Sequence, residues 1–99
     1  MQSDYAEQFQ RDMACTEADW LRWLPGAVGA SEWSSGPGRA TVRIGTGTLT
    51  LAWHAAEPRV IALMRFPRLQ VSFRFEGLGA EERRVFMQRF DLYLQRGGG

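Results

Sequence analysis

Between Arg39 and Phe75 the chain is rich in Val, Ile, Thr and Phe and alternates with period two. That is the repeat of a half-buried strand, so the segment commits the chain to a sheet with one apolar face. Three interruptions divide it, at Gly45-Thr46-Gly47, at His54 to Pro58 and at Pro67-Arg68. Read as turns, they predict four strands in an antiparallel meander over residues 39–75.

The turns also predict a register. A two-residue turn at Thr46-Gly47 sets Ile44 against Leu49, Val42 against Leu51 and Ala40 against Trp53. A two-residue turn at Pro67-Arg68 sets Phe66 against Leu69, Met64 against Val71, Ala62 against Phe73 and Val60 against Phe75. Every pair is apolar, and setting Trp53 against Val60 puts both hairpins on one face. That agreement between separate turns supports the meander.

Helical spacing flanks the strands. Tyr5, Phe9, Met13, Thr16, Trp20 and Leu24 recur at three- and four-residue intervals, predicting an amphipathic helix over residues 4–24. Ser3 or Asp4 would cap it and Pro25-Gly26 would end it. Residues 25–38 hold four glycines with no sustained period and read as a loop, with Trp33 pinning it to the body. After Gly77-Leu78-Gly79, the acids of the first turn and Val85, Phe86, Phe90, Tyr93 and Leu94 predict a second helix over 80–96, closed by Arg96 and a Gly97-Gly98-Gly99 tail.

The expected fold is therefore α+β, a two-layer sandwich in the order α-β-β-β-β-α, with both helices on one face of the sheet. At 99 residues the chain has room for one core, and it shows no internal repeat.

Composition narrows the function classes. No apolar run approaches the roughly 20 residues of a membrane-spanning helix, and Met1-Gln2-Ser3-Asp4 lacks the basic and apolar regions of a signal peptide, so a cytoplasmic location without membrane contact is expected. The single Cys15 cannot form an internal disulfide or hold zinc unaided, and its acidic neighbours would raise its thiol pKa. One His, one Cys and scattered carboxylates predict no metal site and no cofactor. Gly45-Thr46-Gly47 and Gly36-Pro37-Gly38 lack the spacing, the helix and the Lys of a phosphate loop.

All twelve basic residues are Arg, and they are unevenly placed. Residues 1–37 hold six acids against two Arg, while residues 38–75 hold six Arg against Glu57 alone. On the predicted register the non-core sheet face carries Arg39, Arg43, Arg59, Arg65 and Arg74 around a centre of Thr50, Ala52, Ile61 and Leu63, with His54 at the margin. An apolar centre rimmed by Arg is a common interface anatomy. Ile61 and Leu63 are the expected anchors for self-association as a homodimer or for an unidentified protein partner, and the Arg forks could take an anionic small molecule.

Blander readings compete. The face could be an ordinary solvated one with two stray aliphatic residues, or the acidic first helix could cover it. His54 could act with Glu57 as a general base, but no nucleophile accompanies it, so no catalytic residue is assigned and an enzyme is not expected. Trp23 and Trp33 could line a pocket at the loop side, which with His54 keeps a ligand carrier or small enzyme as the alternative. Nucleic acid is disfavoured, because Trp53, Phe66, Phe73 and Phe75 are expected on the core side rather than exposed for base stacking. The expected function is a non-enzymatic binding or assembly domain.

Overall fold

A computed structural model of the protein describes residues 4–98. The elements run β1 (Gln8–Met13), α1 (Glu17–Val28), β2 (Trp33–Gly36), β3 (Arg39–Ile44), β4 (Gly47–Ile61), β5 (Met64–Glu76) and α2 (Ala80–Tyr93), followed by a wide helical turn, Leu94–Gly98. The five strands form one antiparallel sheet in the order β1-β5-β4-β3-β2. The α+β class and the antiparallel sheet are as expected. The sheet has five strands rather than four, and the first element among the described residues is a strand.

The expected helix over 4–24 is replaced by β1 and α1. Phe9, Arg11 and Met13 alternate with exposed Gln8, Gln10 and Asp12, and β1 pairs along β5 from Gln8↔Arg74 to Met13↔Leu69. A spacing of four, as in Tyr5, Phe9 and Met13, satisfies a period of two as well as one of 3.6. Thr16 is not part of an apolar stripe but the N-cap of α1. Its Oγ1 accepts from Asp19 N at 3.1 Å, and Asp19 Oδ2 accepts from Thr16 N at 3.4 Å, a reciprocal capping box. Asp4 lies outside any helix, and Ser3 and Gly99 lie outside the described residues.

Pro25-Gly26 does not stop α1, which runs on to Val28 and ends at Gly29, at φ +73°. A proline there costs about 3 kcal/mol. The continuation buries Ala27 and Val28. Gly26 permits the helices to touch, since a Cβ there would lie 2.2 Å from the Tyr93 ring. The segment 25–38 is therefore not wholly loop: it holds the end of α1 and strand β2, whose half-buried Trp33 pairs with Val42.

Residues 39–75 hold three strands where four were expected, and β2, from the segment read as loop, extends the meander. The first turn is Gly45-Thr46, one residue earlier than read, giving Val42↔Leu49 and Ala40↔Leu51. This slips the predicted pairing by two residues and so leaves every side chain on its predicted face. Neither His54 to Pro58 nor Pro67-Arg68 is a turn. β4 continues to Ile61, and the chain reverses at Ala62-Leu63, where Ala62 takes φ +55°. Trp53 accordingly pairs with Val71, not Val60.

Both helices pack on the apolar face. Leu49, Leu51, Trp53, Leu69, Val71, Phe73 and Phe75 meet Trp20, Leu24 and Val28 of α1 and Phe86, Met87 and Phe90 of α2, with Leu94 closing the end. The Trp53 indole N–H donates to Glu17 Oε2 at 2.8 Å, tying the start of α1 to the sheet. The Arg-rich face is therefore left open by both helices. Among the described residues no helix is long and apolar enough to cross a membrane.

Candidate functional site

The length of β4 and β5 creates the most distinctive feature of the molecule. β3 pairs with β4 only over residues 47–52, and β1 pairs with β5 only over residues 69–74. Beyond those rows the two long strands pair with each other alone, and residues 57–67 form a finger whose every residue is exposed. Leu63 at its turn is 99% exposed, Met64 60%, Val60 58%, Ile61 57% and Phe66 37%.

The finger corrects the predicted site. Val60, Met64 and Phe66 are not core residues. Ile61 and Leu63 are not at the centre of the sheet face, and Arg59 and Arg65 do not rim it: all four stand on the finger. The five expected members that do share the open face are Arg39, Arg43, Thr50, His54 and Arg74, with Thr50 paired to Arg74, Arg39 to Ala52 and His54 to Gln70. Its centre is Thr50, Ala52, Ser72 and Arg74, which is polar, so the apolar centre read from the sequence is not assembled.

A bulge between Ala56 and Arg59, where Glu57-Pro58 oppose Pro67, separates the finger from the sheet. Past it, Arg59 pairs with Phe66 and Ile61 with Met64, and these four side chains share the face that continues the open side of the sheet. Two prolines, the bulge and three Arg (Arg59, Arg65, Arg68) interrupt the free backbone edges, the usual devices against strand-to-strand association. The side chains of the tip are left apolar all the same.

At the base of the finger lies an open groove of about 280 Å³, lined by Met13, Ala14, Ile61, Phe66 and Pro67, with Asp12, Arg59 and Arg68 at its rim. Arg68 Nη2 donates to Asp12 Oδ2 at 2.7 Å, and Arg59 stands 4.0 Å from the same oxygen. These contacts hold the Asp12 carboxyl below the usual carboxylate range, the Arg68 hydrogen bond being the principal cause.

The other sequence candidates are dispersed. His54 is exposed, beside Gln10, Gln70 and Ser72, and among the described residues no acid is bonded to it. Trp23 and Trp33 are half-buried and packed against the core. Cys15 is buried, and burial, with Asp19 nearby, pushes its thiol pKa up, the reverse of a reactive cysteine. Among the described residues no group of three potential metal ligands assembles. Comparison with known proteins returns no matching family model, no matching curated protein and no matching solved structure.

Sequence reasoning missed the finger because the apolar run Val60-Ile61-Ala62-Leu63-Met64 looked like an alternating strand interior. The available signal was its flanks. Pro58 and Pro67 read as turns, but a proline, lacking an N–H, also fits a strand with a free edge, and both lie where β4 and β5 have no outer neighbour.

Proposed function

We propose that this protein is a non-enzymatic, cytoplasmic binding or assembly module whose contact element is the β4–β5 finger. The observation that carries the reading is the run of five large apolar side chains, each more than a third exposed, on a hairpin that no other element covers. Exposed apolar side chains gathered in one place are the surface signature of an interaction site. The blunted edges favour contact through side chains over the addition of a strand.

The site favours binding over catalysis. Its groove is apolar with one ion-paired carboxylate, and His54 lies outside it. Native mass spectrometry of the gently purified protein, compared with Leu63→Arg, tests the reading. The wild-type chain should carry an associated species that the variant lacks, while both give the same circular dichroism spectrum. An associated species retained in full by Leu63→Arg would reject the finger as the contact element.

A further inference from the structure

Resting on that reading, we infer that the partner of the finger is an anionic membrane surface, which the tip enters only to the depth of the lipid headgroups. The finger carries Arg59-Val60-Ile61-Ala62-Leu63-Met64-Arg65, an apolar run bracketed by two Arg, and residues 58–67 hold no acid. The register distributes the apolar side chains around the tip. Ile61 and Met64 share one face, Val60 stands on the opposite one and Leu63 occupies the turn, each more than half exposed. A folded partner docking on either face would leave the other wet, whereas a lipid surface closes round a tip from every side.

Charge and depth agree with this occupant. Arg65 makes no ion pair among the described residues, and Arg59 stands 4.0 Å from an Asp12 carboxylate that Arg68 already holds at 2.7 Å. At about 3.3 Å per residue along a strand, Arg65 lies roughly 7 Å and Arg59 roughly 10 Å behind the turn. Interfacial elements bury their apolar side about 5–10 Å into the boundary between headgroups and acyl chains. A tip seated at that depth brings both guanidinium groups level with the lipid phosphates, which Arg forks bind well. The unpaired backbone groups on the outer edges of the finger bar deeper entry, since hydrocarbon offers them no hydrogen-bond partner. Apolar insertion and basic flanks together give reversible docking. The expectation of no membrane contact rested on the lack of a spanning helix, which bears on crossing a bilayer and not on resting at its surface.

The test is cosedimentation of the full chain with vesicles of phosphatidylcholine alone and of phosphatidylcholine mixed with phosphatidylglycerol. The proposal expects binding to the mixed vesicles that is weakened about fivefold by Arg59→Gln and by Arg65→Gln, and by roughly the product in the double variant. Leu63→Asp should weaken it by at least about tenfold while keeping the wild-type circular dichroism spectrum. An environment-sensitive dye on Leu63→Cys, in a Cys15→Ala background, should report an apolar setting on the mixed vesicles. Equal binding to both vesicle types, with no loss in the Arg variants, would overturn the inference. So would a wild-type chain that binds neither; if its native mass spectrum then showed an associated protein that Leu63→Arg abolished, the finger would remain the contact element with a protein as its partner. Vesicle binding retained in full by Leu63→Asp would overturn both the inference and the finger reading.

Discussion

Arg11 on β1 grips Asp91 on α2 with both ends of its guanidinium, Nη1 donating to Oδ1 at 2.6 Å and Nη2 to Oδ2 at 2.9 Å. The Tyr5 hydroxyl donates to the same Oδ2 at 2.7 Å, and the Arg11 guanidinium lies 5.2 Å from the centre of the Phe73 ring. A cation thus sits on the apolar side of an edge strand because the second helix brings it a carboxylate. Asp91→Ala would leave Arg11, three-quarters buried, without its counter-ion. The expected cost is about 2 kcal/mol, less than for a fully buried pair, or a fall in Tm of roughly 10 °C. Replacing both partners, as Arg11→Met with Asp91→Leu, should recover most of the loss, and thermal melts of the two variants check it.

The acid limb of stability depends on the cap of α1. Asp19 is held below the usual carboxylate range, chiefly by the Thr16 backbone N–H, and Asp12 by Arg68. A carboxylate with a depressed folded-state pKa contributes stability that is fully present above the unfolded value, near 3.9, and disappears as pH falls through the folded one. Urea midpoints should therefore be level from pH 7 to about pH 5 and fall below about pH 4. Asp19→Asn should flatten that fall, and Thr16→Ala should cost about 1 kcal/mol at pH 7.

Ala62 is the only non-glycine residue with positive φ among the described residues, at +55°. A Cβ is disfavoured there, so Ala62→Gly should relieve strain and stabilise the finger by up to about 1 kcal/mol, partly offset by the greater freedom of glycine in the unfolded chain. Amide exchange of residues 59–66 should slow in the variant. Faster exchange would show the turn unstrained.

Cys15 is 3% exposed with its thiol pKa raised by burial. Alkylation by iodoacetamide at pH 8 should be at least 100-fold slower in the native protein than in urea, where the thiol returns to its ordinary value near 8.5. Rapid native labelling would place Cys15 at a mobile or open position.

The faces of the sheet were legible in the sequence, and its ends were not. Because β-strand side chains repeat every two residues, the two-residue slip at Gly45-Thr46 left Val42, Leu49 and Leu51 in the core as predicted. Phe9 and Met13 were misread because their spacing of four fits both periods, and only the pairing to β5, a contact about 60 residues away in sequence, decides between them. The turn at Ala62-Leu63 carries none of the Gly, Asn or Asp residues that announce a hairpin. Pro67-Arg68 resembled such a signal and displaced the turn by five residues. That displacement placed Ile61 and Leu63 at a sheet centre, whereas both stand exposed on the finger.

Hydrogen exchange without and with anionic vesicles tests the finger most directly, because it reads the finger and the open sheet face in one experiment. Protection that grows on the vesicles across residues 58–66, and not at Arg39 to Arg43 or Ser72 to Arg74, is the result expected of a contact made through the tip. Protection that grows on the sheet strands while the finger stays fully exchanging would contradict it and return the interface to the Arg-rich face.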